Sequence, residues 1–198
     1  MPESIGAYGS DLVKTPNLDR LAAEGVLFNH AYNQGSFAAA VCVASRTMLN
    51  TGSSVWNAAR YASQRKFVRG ASNQPRVGEL YTIEEAKPEA FWSQYMKRAG
   101  YETFFSGKWH VQVDAEEVFD HARHVRGGMP YQHDSRYARE FIEGEPDTWS
   151  PYDTSMGGFW QGGKHWSEVL ADDGVEFIET AAKSEEPFFI YLAFNAPH

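Results

Sequence analysis

Pro187-Phe188-Phe189-Ile190-Tyr191-Leu192-Ala193-Phe194 is an unbroken apolar run, and its reading decides the fold. A strand with one wet face alternates apolar and polar residues. A continuous run suits a strand buried on both faces, as in a parallel sheet covered by two layers of helices. Upstream, Trp166 to Ala182 has helical period, with Trp166, Leu170, Phe177, Ile178 and Ala181 predicted inward. The pair Asp172-Asp173 is predicted on the opposite, solvated face. Residues 120–164 are rich in Gly, Pro, His and aromatics without regular period. They read as a long surface excursion with His121, His124 and His133 as loop residues.

Further back, Tyr101 to Phe105 reads as a strand that runs straight into Ser106-Gly107-Lys108-Trp109-His110. Before it, Glu89 to Ala99 is predicted helical. Phe91, Trp92, Tyr95, Met96 and Ala99 recur at three- and four-residue spacing, and Gly100 ends the helix. Residues 53–81 read as loop with some helix. Ser45 to Thr51 is predicted helical and closed by Gly52, which places Cys42 in a turn just before a helix N-terminus. Thr15 suits an N-cap, Pro16 the first helical position and Gly25 a left-handed C-terminal cap. The helix between them has an apolar face of Leu18, Leu21 and Ala22, and Val26-Leu27-Phe28 follows as a short strand.

Helices alternating with strands predict an α/β fold, a mostly parallel sheet sandwiched by helices. In such sheets ligands bind at the carboxyl ends of the strands. Lys108 and His110 follow one predicted strand and His198 follows another, so three polar groups are delivered to one rim.

Composition narrows the function. The chain has 198 residues, with 42% hydrophobic and 22% charged, which excludes a disordered chain or a coiled coil. Its formal charge of −8 argues against a nucleic-acid partner. The locally basic stretch from Arg60 to Arg76 reads as a solvated loop. No apolar segment reaches the roughly 18 residues needed to cross a membrane. The start at Met1 has neither a basic region nor an apolar core, so no signal peptide is predicted, and localisation is left undetermined. Cys42 is the only cysteine and forms no internal disulfide.

Taken alone, Cys42 reads as a small buried apolar residue. Its surroundings change that reading. Cys42-Val43-Ala44-Ser45-Arg46, continued to Thr51-Gly52, resembles the signature of the sulfatase family, in which Cys-x-Pro/Ala-Ser-Arg precedes Thr-Gly. Gly107-Lys108-Trp109-His110 resembles the family's Gly-Lys-Trp-His block, and Ala196-Pro197-His198 its Pro-His block. Thr15 to Ala22, followed by Gly25, is similar to its early helix. Four blocks in order and at agreeing separation carry the resemblance across essentially the whole chain. The stretches Gly157 to Trp160 and Gly162 to Val169 look like the choline-sulfatase-like and polysaccharide-sulfatase branch.

The resemblance implies an alkaline-phosphatase-like fold, incomplete here. Residues 1–198 would be a partial catalytic domain lacking the first strand and the C-terminal part, and inactive or crippled as given. It implies that Cys42 is oxidised to formylglycine by a formylglycine-generating enzyme. The aldehyde hydrates to a geminal diol, and one diol oxygen attacks the sulfur of a sulfate ester, small molecule or glycan. Loss of the proton from the second hydroxyl re-forms the carbonyl and expels sulfate. By the same resemblance Arg46 holds the formylglycine, Lys108 contacts the sulfate, and His110 is the base for sulfate release. His198 is the acid or sulfate contact at the leaving oxygen. A divalent cation, usually Ca2+, is implied, with modified Cys42 the one ligand this chain supplies. Two other readings follow from the same residues: a phosphonate or phosphate monoester hydrolase of the superfamily, and a non-catalytic remnant that binds sulfated ligands. Phe159-Trp160 and Lys164-His165-Trp166 read equally as pocket lining or as packing.

Overall fold

The computed structural model describes residues 4–37, 41–62, 91–111, 113–127, 143–146 and 164–196. Two units are distinguished, residues 1–34 with 197–198, and residues 35–196. His133, the Phe159-Trp160 pair, His198 and most of the basic stretch lie outside the described residues.

In the first unit a 3-10 turn, Gly6–Tyr8, precedes helix α1, Pro16–Glu24. Thr15 does not cap α1 with its side chain. Its Oγ1 instead accepts from the Gly6 amide (2.8 Å) and donates to Asp19 Oδ1 (2.9 Å), which also accepts from the Ala7 amide (2.8 Å). The short polar residues thus tie the turn to the helix. Gly25 has φ −118, so it is not the left-handed cap expected of it. Val26-Leu27-Phe28 is not a strand, because no partner strand pairs with it among the described residues.

The second unit contains helices α2 (Val41–Thr51), α3 (Val55–Ala62) and α4 (Trp92–Arg98), then strand β1 (Glu102–Lys108). A single turn, α5 (Ala115–Val118), leads to strand β2 (His121–Arg126), and helix α6 (Trp166–Ala181) to strand β3 (Phe188–Ala193). The strands form a parallel sheet in the order β2-β1-β3. Gly100, at φ 86, closes the α4 end as predicted.

The sheet is covered on both faces. Successive strand residues point to opposite sides, and β1 uses this fully. Phe104 packs on Phe177 of α6 (ring centroids 5.1 Å apart). Phe105 packs on Trp109 (5.0 Å) and Phe119 (5.3 Å), in a cluster with Phe91 and Val118. Every residue of β1 from Thr103 to Lys108 is buried. The predicted α/β sandwich is therefore present, with β1 as its central strand.

Four expectations are corrected. The apolar run of β3 is half-buried for most of its length, because β3 is an outer strand of the described sheet. Residues 121–126 are a strand, not part of a loop, so His121 and His124 are sheet residues. Ile178 is 52% exposed, whereas Asp173 is buried at 3%. Cys42 lies inside the first turn of α2 and not in a preceding turn.

Candidate active site

Parallel strands end on one rim. β1 ends at Lys108, β2 at Arg126 and β3 at Ala193. Gly107 permits the close approach that forms this rim, with φ 110 and the backbone of Ala193 against its α-carbon. Lys108 follows it and is 2% exposed. Its Nζ lies 3.5 Å from Cys42 Sγ.

Helix α2 brings the thiol and a second cation together. Cys42 and Arg46 are four residues apart, one turn along one helix face. Arg46 Nη1 donates to the main-chain oxygen of Lys108 (2.6 Å) and to the Tyr191 hydroxyl (3.3 Å). The helix is stiffened from within: Thr47 Oγ1 donates to Val43 O (2.7 Å) and Asn50 Nδ2 to Arg46 O (2.8 Å). Burial pushes the Tyr191 hydroxyl above the ordinary tyrosine value, against the opposing influence of Arg46 and Asn50, so it stays protonated at neutral pH.

His110 stands two residues past Lys108, at the same strand end, in left-handed backbone with φ 53. A non-glycine residue held at such an angle is uncommon and costs conformational energy. The structure thus gathers Cys42, Arg46 and Lys108 by direct contact and sets His110 on the same rim. His198 lies outside the described residues.

A supporting network lies on the α6 side of β1. The Asp173 carboxylate accepts from Ser106 Oγ (2.5 Å) and engages His124 Nδ1 (2.7 Å) through the same oxygen, Oδ2. His124 reaches it through a bulge. Ser106 and Lys108 pair with Arg123 and Arg126, so β2 carries one extra residue, and His124 takes φ 45. Trp166 stacks edge-on to His124, carries the Arg126 guanidinium on its face (4.2 Å) and donates from Nε1 to Asn195 Oδ1 (3.0 Å). Of the Lys164-His165-Trp166 stretch, Trp166 is packed inside and His165 caps α6, accepting from the Ser167 amide (3.1 Å).

Chemically the rim holds two fixed cations, Lys108 against the thiol and Arg46 on the Lys108 main chain, and among the described residues no carboxylate pairs with either. Buried charge is costly unless compensated, so the arrangement suits an anion. It does not suit a divalent cation by itself. A hard cation wants six or more oxygens, and among the described residues no three His, Cys, Asp or Glu side chains cluster to hold one.

The sulfatase family model matches residues 2–198. The chain belongs to the sulfatase family. It is 27% identical over 216 residues to N-acetylgalactosamine-6-sulfatase of Canis lupus familiaris, covering 98% of this chain and 37% of that protein. It is 26% identical over 202 residues to N-acetylglucosamine-6-O-sulfatase of Bacteroides thetaiotaomicron, covering 99% of this chain and 28% of that protein. Among solved structures it is similar to Ps i-CgsB in complex with k-i-k-neocarrahexaose. The TM-score there is 0.59 and the identity 25%, over 98% of this chain and 42% of that one. The chain thus spans 28–37% of the length of these two curated relatives, and the alkaline-phosphatase-like fold is present in part.

Tyr191, Asn50 and the Ser106-Asp173-His124 network are the site's unforeseen parts. A signal for Asp173 existed: Trp166, Leu170, Asp173 and Phe177 follow one four-three-four spacing along a single helix face.

Proposed function

We propose that the protein of which this chain is part hydrolyses sulfate esters of glycans, with formylglycine made from Cys42 as the nucleophile. The observation that carries the proposal is the buried Lys108 ammonium 3.5 Å from Cys42 Sγ, beside an Arg46 fixed on the Lys108 main chain. Conversion of the Cys42 Cβ–SH to an aldehyde is a two-electron oxidation with loss of sulfur as sulfide. Molecular oxygen, used by a formylglycine-generating enzyme, is the oxidant; two further electrons come from an external thiol pair that becomes a disulfide, one oxygen atom ends in the aldehyde and the other in water. The aldehyde takes up water to give a geminal diol at the position the thiol now holds.

One diol oxygen gives its proton to solvent and forms the bond to sulfur as the ester C–O–S oxygen leaves, and the leaving alcohol takes a proton from His198. The sulfuryl oxygens gain negative charge in this step. Lys108 and Arg46 stand where that charge develops, and fixed cations there lower the barrier. His110 then removes the proton of the second hydroxyl. The carbonyl re-forms, the C–O bond to sulfate breaks, and water restores the diol. A serine could not complete the cycle, having no second hydroxyl. Calcium belongs to this proposal only with ligands from outside the described residues.

A glycan substrate is supported by the relatives, two named for 6-sulfated hexosamines, and by the neighbour crystallised with k-i-k-neocarrahexaose. The test begins with mass spectrometry of the Cys42 peptide from natively expressed, full-length protein, which is expected to show the aldehyde. Turnover of aryl sulfate is expected to exceed that of aryl phosphate. Lys108→Ala is expected to lower kcat by about 10²–10³-fold, the cost of removing one such stabilising group. An intact thiol in active protein, or faster turnover of phosphate, would overturn the proposal.

A further inference from the structure

Arg46 has one terminal nitrogen, carrying two N–H bonds, that donates to acceptors from two different strands. Nη1 donates to the Lys108 carbonyl at the end of β1 and to the Tyr191 hydroxyl on β3. A guanidinium is planar, so two acceptors on one nitrogen fix the orientation of the whole fork, including Nε and Nη2. With the carbonyl alone, the group would remain free to rotate about that single bond.

Tyr191 is itself held. It lies opposite Phe105 in the β1–β3 register. Its ring meets Trp92 edge-on (5.6 Å, 85°) and Phe105 at a steep angle (5.4 Å, 65°). Rings packed in this way leave the hydroxyl little lateral freedom. On the other side, buried Asn50 bonds the Arg46 carbonyl within α2, and its side chain also reaches the Tyr191 hydroxyl. The Tyr191 end of the Arg46–Tyr191 bond is thus fixed by ring packing, and the Arg46 end by the Lys108 carbonyl.

We infer that Tyr191 is a positioning residue, whose hydroxyl orients the Arg46 guanidinium beside Cys42 for the sulfuryl group. It acts through Arg46, and it rests on the sulfatase reading for the reaction it serves. The aromatic ring is the structural part and the hydroxyl the functional part, which makes the two separable.

The experiment is a double-mutant cycle of Tyr191→Phe and Arg46→Lys in the full-length protein, read both as kcat/KM for an aryl sulfate and as affinity for inorganic sulfate by calorimetry. Tyr191→Phe keeps the ring, so its urea midpoint is expected to stay near wild type. Its kcat/KM is expected to fall about 10–100-fold, in line with loss of a hydrogen bond to a charged group. In the Arg46→Lys background the same change is expected to cost less than about twofold, because residues acting through one another are not additive. Losses that add, or a single-variant loss under about twofold, overturn the inference and leave the sulfatase reading intact. If wild type binds sulfate but turns over no sulfate ester, the catalytic reading falls and the binding cycle decides Tyr191 by the same criterion. If wild type neither binds sulfate nor turns over the ester, both fall.

Discussion

Replacing Gly107 by alanine tests how closely the strands pack at the rim. A methyl group there would press into the Ala193 carbonyl oxygen and lie 2.6 Å from Leu170 Cδ2 and 2.9 Å from the Ala193 carbonyl carbon. The leucine tip can move. The Ala193 backbone cannot move far, because it is paired in register with Gly107. The φ of 110 adds a second cost. Backbone strain of this kind is worth about 1–3 kcal/mol and forced overpacking about 1–3 kcal/mol. The combined loss is therefore about 2–6 kcal/mol, a large part of the roughly 5–15 kcal/mol that holds an average domain together. At ordinary urea sensitivity this moves the midpoint down by about 2 M. Gly100→Ala is the control. Gly100 also has positive φ, at 86, but nothing lies within 4 Å of the added carbon. It carries the strain without the clash and is expected to lose only about 1 kcal/mol. Urea unfolding followed by tryptophan fluorescence reads both. Equal losses in the two variants would refute the close approach of β1 and β3.

Asp173→Ala removes the shared acceptor of Ser106 and His124, and is expected to cost about 2–4 kcal/mol in urea unfolding, whereas Asp172→Ala on the exposed side is expected to leave the midpoint in place. Asp120 is subject to burial, which raises its pKa, but hydrogen bonds from Lys97 and Thr103 outweigh this and hold the carboxyl below its usual 3.8. A depressed folded value gives stability that is present above the unfolded pKa and lost as pH falls through the folded one. Asp120→Asn is therefore expected to flatten the acid-side loss of stability, measured as urea midpoints at about pH 6 and about pH 3; an unchanged slope would reject the ion pair with Lys97 as its source.

Sequence and structure agree most where apolar pattern and backbone geometry speak together. β1 runs into Lys108 as expected, and the four-residue spacing of Cys42 and Arg46 aligns them on α2. The reading fails where polar side chains are used inside. His121 to Arg126 has only two apolar residues, Ala122 and Val125, because His124 and Arg126 satisfy Asp173 and Trp166 in place of packing as hydrocarbon. The polarity of Asp173 predicts an outside position, whereas its helical phase matches Leu170 and Phe177. Phase prevailed, since a partnered carboxylate can be buried. Ile178 shows the converse: it is apolar but out of phase, and exposed. The run Phe188 to Ala193 marks a strand correctly but overstates its burial, because apolar content does not say how many neighbours a strand has. Tyr191 within that run looked like core, and only its contact with Arg46 separates its hydroxyl from its ring.

The two clamps on Arg46 come from far along the chain, Lys108 62 residues later and Tyr191 145 residues later. At a synthesis rate of about 5–20 residues per second, Tyr191 leaves the ribosome roughly 7–30 s after Arg46. For that interval Arg46 lacks its Tyr191 contact, and over the first 62 residues it lacks Lys108 as well. The Arg46 fork is therefore complete only when the last strand docks, although the helix that carries it is the first element of its unit to be made.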